Sequence, residues 1–171
     1  MSLDHIIDRW TEVRAGFIDE LAQIPADQFD FRPTPDARSV AEIVRHILEA
    51  QRFMVGETCR PDTNFKRQPI LELIKSYAGD VAAAEGKDAL IDLMKESMKS
   101  AEAALRSFGE EAMQRMMERL DGMVMPKTDF VHFTISHEMY HRGQITVYQR
   151  LLGMEPVLTA RLREFLAAQP R

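Results

Sequence analysis

The chain has 171 residues, of which 45% are hydrophobic and 29% are charged, and its formal net charge is −5. This composition is that of an ordinary globular protein, and the length allows one domain, residues 1–171, with a substantial core. The negative charge argues against a nucleic-acid-binding protein, and no apolar stretch is long enough to cross a bilayer or to form a signal peptide. We therefore expect a cytoplasmic protein that binds neither nucleic acid nor membrane.

Apolar residues at helical spacing predict a first helix from about Asp4 to Gln23. Its stripe repeats every three or four residues and consists of Ile6, Trp10, Val13, Phe17, Leu21 and Ile24. The proline-containing segment 25–35 should end this helix.

A second helix should begin at Ser39, which forms a Ser-x-x-Glu capping box with Glu42 just before an apolar run. His46 lies beside the apolar face of this helix, and Phe53 has nearly the same azimuth two turns later. The helix should end near Gly56.

The segment 57–87 is less regular, and only residues 70–77 predict a short helix. It contains Cys59, the single cysteine of the chain. One thiol makes no internal disulfide, which fits a reducing compartment. Cys59 could serve as a metal ligand or nucleophile, but because a reactive thiol needs an identifiable activating microenvironment, an incidental thiol near a helix end is favoured.

Periodic apolar residues predict a third helix over about 87–108, stopped by Gly109, and a fourth over about 128–153. A connector rich in methionine separates them and contains Met113, Met116, Met117, Met123 and Met125. A short final helix should carry Leu158, Leu162 and Phe165. Because strand-like alternation of Val, Ile or Thr is absent, the sequence predicts an all-α four-helix bundle with short extra helices.

Two histidines in the fourth helix carry the main functional signal. His137 and His141 are four residues apart, so their imidazoles leave the same helix face. A third imidazole, from His46 on a neighbouring helix, would complete a three-nitrogen site for one divalent ion, with zinc or nickel as the best matches. Such a site leaves a coordination position open, as catalytic sites do, whereas structural zinc sites are filled by four protein ligands.

The same pair also spells the His-Glu-x-x-His pattern of zinc peptidases, with Glu138 as the general base. Against this interpretation, Arg142 places a charge directly after the second histidine, and no sheet is predicted to align a peptide. The extended form of the motif would need Gly at position 144 and His at 147, where this chain has Gln144 and Val147. A third ligand for this alternative could be Glu155 or Glu164, but neither lies in a supporting motif.

Residues 137–145, HEMYHRGQI, resemble the His-x-x-x-His-Arg-Gly-Gln signature of the DinB-like (YfiT-like) metalloenzyme family. Residues 24–33 and 39–46 are similar to the first loop and second helix of the same family. The resemblance spans about residues 24–153 and includes both segments that bear the histidines.

This resemblance implies a single DinB-like bundle domain in which His46, His137 and His141 bind one metal ion. It also implies a homodimer and a small-molecule substrate. Characterised relatives are thiol-dependent transferases and isomerases that use bacillithiol or mycothiol, so a low-molecular-weight thiol is an expected cosubstrate. The chain departs from the family at Arg38, where tryptophan is common, which changes the rim of the expected pocket.

An open metal position could lower the pKa of water for hydrolysis or hold a thiol as the nucleophilic thiolate. The sequence leaves the catalytic base open among Glu138, Glu57 and Tyr148. Glu49, three residues after His46, could orient an imidazole. Gln144 and Tyr148, beyond His141, are expected to reach a ligand rather than the ion.

The leading interpretation is a metal-dependent transferase, in which a metal-bound thiolate attacks a small electrophile, or a metal-dependent hydrolase. The alternative from another class is a non-catalytic metal-binding bundle that acts in stress response. A fourth protein ligand or a sealed core would favour this alternative.

Overall fold

A computed structural model describes residues 2–169. Its elements in chain order are helices α1 (Leu3–Gln23), α2 (Val40–Thr58), α3 (Ile70–Ala78), α4 (Gly86–Phe108) and α5 (Glu110–Met113), strands β1 (Met116–Glu118) and β2 (Val124–Pro126), and helices α6 (Lys127–Leu151) and α7 (Val157–Ala167). Short 3-10 turns occur at Ala26–Gln28 and Val81–Ala83.

The four long helices form a bundle in which α1 and α2 each pack against both α4 and α6. The predicted stripe of α1 faces this core, and Trp10, Phe17, Leu21 and Ile24 are fully buried. The predicted all-α four-helix bundle is therefore confirmed. No helix within residues 2–169 is both long and apolar enough to span a membrane.

Local signals fix the start of α2, the helix that carries His46. Ser39 Oγ accepts a hydrogen bond from the Glu42 backbone N–H, and Glu42 Oε2 accepts one from the Ser39 N–H. This reciprocal capping box satisfies two N–H groups that a helix start otherwise leaves unpaired. The helix continues two residues past Gly56, which is in helical conformation and is covered by the ring of Tyr77.

The methionine-rich connector between α4 and α6 contains two short strands that were not predicted. Met116–Glu118 and Val124–Pro126 pair as an antiparallel hairpin, closed by a turn in which Gly122 has a φ of 85°. Strands of three residues are too short to give a period-two pattern, which is why the sequence did not reveal them. The hairpin lies against the start of α6, and Met117 packs with Phe130 in a small apolar cluster.

A buried carboxylate joins the C-terminal helix to the bundle. Glu20 of α1 is fully buried and accepts hydrogen bonds from the backbone N–H groups of Val157 and Leu158, at the first turn of α7. It also accepts one from Arg142 over 3.4 Å, which pairs the charge that follows the second histidine with a carboxylate on the neighbouring helix α1. The apolar side chains of α7 itself point mostly into solvent.

Candidate metal centre

Three imidazoles from two helices converge in the groove between α2 and α6. Nε2 of His137 lies 3.1 Å from Nε2 of His46 and 3.1 Å from Nε2 of His141. The three ligand atoms all lie within 4.8 Å of one another, and no other His, Cys, Asp or Glu of residues 2–169 joins the group. The structure thus brings together the three residues that the sequence singled out.

The spacing of these nitrogens can be compared with that of a zinc site. Zinc–imidazole bonds of about 2.0–2.1 Å at tetrahedral angles place neighbouring nitrogens about 3.3 Å apart. The two observed separations of 3.1 Å are close to this value. The donor set therefore fits a divalent ion held by three protein ligands, with one position left for a water or substrate atom.

Gln144 fixes the orientation of one ring. Its side-chain Oε1 lies 2.7 Å from Nδ1 of His141. An amide oxygen only accepts hydrogen bonds, so Nδ1 of His141 is the donor and, in the neutral ring, Nε2 keeps its lone pair. Residues around metal ligands commonly set the tautomer in this way. Gln144, one turn after His141, was expected to lie beside the site without binding the ion itself, and its observed contact is with the imidazole of His141.

The site keeps its imidazoles neutral. Burial lowers the pKa of His46 to about 4, with further lowering by the charge of Arg38. Burial likewise lowers the pKa of His137 to about 4, although the nearby charge of Glu138 opposes this shift. The pKa of His141 is also lowered by burial. A neutral imidazole is the form that binds metal.

The glutamate between the paired histidines faces away from them into the bundle core. Glu138 is 2% exposed and accepts hydrogen bonds from Arg14 Nε at 2.5 Å and from Trp10 Nε1 at 2.8 Å. Arg14, also 2% exposed, donates further to Gln51 Oε1 and to the Met94 carbonyl. These hydrogen bonds connect α6 to α1, α2 and α4. They also engage the Glu138 carboxylate, which a His-Glu-x-x-His peptidase would use as its general base.

Arg14 and Trp10 were not predicted to be members of this hydrogen-bond network. A signal was present, because Arg14 lies four residues after Trp10, in the middle of the apolar stripe of α1. A charged residue in such a stripe must be paired when it is buried.

Three other residues were predicted to lie near the histidines, and each has a different environment in the structure. Glu49 makes no hydrogen bond to any of the three histidines, so the expectation that it orients an imidazole is not met. Tyr148 donates its hydroxyl to the Arg38 carbonyl at 2.9 Å and, with Gln144, lines a polar cavity of about 470 Å³. Phe53 is buried further along the groove against Phe65.

The remaining candidate bases, ligands and nucleophile lie elsewhere. Glu57 is fully buried; burial alone would raise its pKa, but hydrogen bonds from Arg67 and Tyr77 outweigh this and lower it. Its position eleven residues after His46 puts it about 16 Å along the helix. Burial raises the pKa of Cys59 to about 11, so its thiol is unreactive at neutral pH. Neither alternative third ligand, Glu155 or Glu164, joins the histidine group.

The fold and the site together describe a helical bundle in which three inward-facing histidines form a candidate metal centre. Residues 9–145 match the DinB superfamily. Because this match covers most of the chain, the protein belongs to that superfamily. No curated protein matches the chain in sequence.

Solved structures share this fold at low sequence identity. YfiT from Bacillus subtilis, a probable metal-dependent hydrolase with an unusual four-helix bundle topology, has a TM-score of 0.68 and 18% identity, covering 89% of this chain and 88% of its own. A DinB-like protein from Bacillus subtilis has a TM-score of 0.65 and 19% identity, covering 87% and 92%. A mycothiol-dependent maleylpyruvate isomerase has a TM-score of 0.67 and 13% identity, covering 85% of this chain but only 61% of its own.

Proposed function

We propose that this protein is a metal-dependent enzyme that transfers a low-molecular-weight thiol to a small electrophile. His46, His137 and His141 hold one divalent ion, zinc or nickel. The observation that carries the proposal is the convergence of three imidazoles, in which Nε2 of His137 lies 3.1 Å from Nε2 of both His46 and His141, with no carboxylate of residues 2–169 in the group.

The residues of the site prepare three neutral donors. Burial depresses the pKa of all three imidazoles, and Gln144 holds the His141 ring with Nε2 directed inward. A divalent ion bound here supplies the positive charge that favours the deprotonated form of a group at the open position. The protein contributes the ligand geometry and a partly buried site.

A thiol suits this site better than water because no carboxylate within residues 2–169 joins the histidines as a base. Glu138 is held by Arg14 and Trp10, and burial raises the pKa of Tyr148, whose hydroxyl is already bonded to a backbone carbonyl. A free thiol has a pKa of about 8.5 and needs only a small decrease in that pKa to ionise at neutral pH, whereas free water is a far weaker acid and needs a much larger decrease. A metal ion held by three histidines, without a protein base, should therefore ionise a thiol more readily than water.

The relatives support both this proposal and a second candidate. The mycothiol-dependent isomerase shares the fold of this chain over 61% of its own length, which supports use of a thiol. YfiT, a probable metal-dependent hydrolase, supports hydrolysis as the second candidate. In that case water takes the place of the thiol at the same open position.

The proposal is tested by assaying purified protein for metal content and for conjugation of thiols to 1-chloro-2,4-dinitrobenzene. The thiols tested are cysteine, coenzyme A, bacillithiol and mycothiol, each with the zinc, nickel and metal-free protein. We expect metal-dependent turnover with at least one thiol. Metal binding without conjugation or ester hydrolysis would favour the non-catalytic metal-binding bundle instead.

We further expect a cytoplasmic homodimer, as the family resemblance implies. Light scattering of the purified protein would give a mass near twice 19.6 kDa. A mass of one chain across the micromolar range would contradict this expectation.

Changing Gln144 to leucine should lower metal affinity by about 10–100-fold, the usual effect of losing a residue that supports a ligand. Leucine removes the acceptor for the Nδ1–H of His141 and frees the ring to rotate or change tautomer. Gln144→Glu keeps an acceptor and should retain most of the affinity. Competition with a chromogenic chelator measures both; equal affinity of the leucine variant and wild type would exclude this role for Gln144.

Metal affinity should change little between pH 7 and pH 5. Protons compete with the ion only near and below each imidazole pKa, and the values for His46 and His137 are about 4. Two histidines with the ordinary pKa of about 6.5 would instead lose about 10³-fold in affinity over this range. Titrations at several pH values, in a buffer that does not bind metal, would distinguish the two cases.

A further inference from the structure

An apolar pocket lies beyond the histidines in the same groove between α2 and α6. Four phenylalanine rings line it, with consecutive centroid separations of 5.3 Å (Phe53–Phe65), 5.1 Å (Phe65–Phe130) and 5.7 Å (Phe130–Phe133). The turn of the β1–β2 hairpin, at residues 119–121, forms its outer wall. The pocket thus has a continuous aromatic wall, formed by Phe53 of α2, by Phe130 and Phe133 of α6, and by Phe65 of the loop between α2 and α3.

The helical register places this pocket close to the candidate metal centre. Phe133 precedes His137 by four residues, which is one turn on the same face of α6. Phe53 follows His46 by seven residues, which is two turns on the same face of α2. At 1.5 Å per residue, the pocket walls begin about 6–10 Å along the groove from the histidines. A small molecule with its reacting atom at the open position could therefore extend into the pocket.

The charges at the pocket mouth are already paired. Arg119 contacts Asp121 at 2.9 Å, and its guanidinium lies 4.5 Å from the centroid of the Phe133 ring. The lining therefore carries one positive and one negative charge that cancel. It offers an aromatic surface to an uncharged group and no free ion-pair partner to a charged one.

The pocket volume limits the size of an occupant. The cavity measures about 210 Å³. An apolar cavity of about 150 Å³ is large enough to bind benzene, while pockets for drug-sized ligands begin at about 300 Å³. One ring or a branched chain of similar size fits.

We propose that this aromatic pocket binds a neutral, ring-sized apolar group of the electrophile and so determines which substrates the enzyme accepts. The inference rests on the proposed function, because it assigns the substrate class of that same site. The preferred substrate is then a small electrophile with an uncharged aromatic or branched aliphatic body on one side of its reactive carbon.

The test uses fluorobenzene as the probe and follows its ¹⁹F signal on titration with metal-free protein, so that binding is measured without any metal chemistry. We expect saturable binding that is at least about tenfold tighter than that of 4-fluorobenzoate, whose charge finds no free partner. In Phe133→Ala, binding should weaken about five- to tenfold because one aromatic wall is lost.

Phe133 is 37% exposed, so its truncation should not unfold the bundle, and Phe133→Leu, which keeps an apolar wall, should bind more tightly than Phe133→Ala. The matched control is Phe165→Ala on α7, which removes an equally large ring that is 62% exposed and outside the pocket. Equal binding by Phe133→Ala and Phe165→Ala, or no saturable binding by wild type, would overturn the inference.

A second measurement links the pocket to the metal centre. In protein loaded with paramagnetic Co²⁺, the ¹⁹F signal of bound fluorobenzene should shift or broaden, and in the Zn²⁺ form it should not. Binding without a Co²⁺ effect would place the probe away from the histidines and overturn the assignment. If no metal binds, the proposed function fails, whereas the titration of metal-free protein still decides whether the pocket exists.

Discussion

Glu138→Leu should lower the free energy of unfolding by about 3–5 kcal/mol, the usual cost of breaking a buried ion pair by removing one partner. The guanidinium of Arg14, only 2% exposed, would lose its counter-charge, and Trp10 would lose the acceptor for its indole N–H. Urea denaturation followed by circular dichroism, in the presence of a chelator, measures the effect without a contribution from bound metal.

Two variants make this expectation specific. Arg9→Ala removes an ion pair to Glu12 on the same helix α1, but these side chains are 52% and 72% exposed, so the cost should stay within about 0.5 kcal/mol. The double variant Arg14→Met/Glu138→Leu replaces both buried charges and should recover much of the lost stability. If Glu138→Leu were no more destabilising than Arg9→Ala, the buried network would not have the stabilising role assigned to it.

The position of Glu138 also explains why the His-Glu-x-x-His pattern is misleading here. Residues 137 and 138 differ by about 100° around a helix, so one can face a groove while the next faces the core. The motif alone does not say which face holds the carboxylate. The deciding information lies 124 residues away, in Arg14 of α1.

Much of the fold follows from local patterns. Helices α1, α2, α4 and α6 begin and end within about two residues of the predicted bounds, because apolar periodicity, the Ser39 capping box and the stop at Gly109 are all short-range signals. The convergence of His46 with His137 and His141 was also predictable, because it requires only that the inward faces of two helices meet. The family resemblance supported the same three residues.

The features that were not predicted depend on tertiary contacts. Both Glu49 and Gln144 lie three residues after a histidine, but only Gln144 reaches its imidazole, and helix spacing does not determine that rotamer. The β1–β2 hairpin is stabilised partly by packing Met117 against aromatic rings from distant segments. The aromatic pocket depends on that hairpin, so it could not be predicted before the hairpin was known.

His141→Ala should reduce the metal content of the purified protein from about one ion per chain to a small fraction of one. Two imidazoles would remain where three now converge, and the affinity should fall by more than the roughly 10–100-fold expected for loss of a supporting residue such as Gln144. Thiol conjugation should then fall to the uncatalysed rate. Elemental analysis and the conjugation assay on the same sample measure both effects.

The matched control is His132→Ala, because His132 lies on the same helix but outside the histidine group. It should keep metal and activity at wild-type levels. His46→Ala removes the ligand on α2 and should behave like His141→Ala, since the site needs imidazoles from both helices. Retained activity in a metal-free His141→Ala protein would reject metal-dependent catalysis. Full metal content in both His46→Ala and His141→Ala would show that other residues bind the ion.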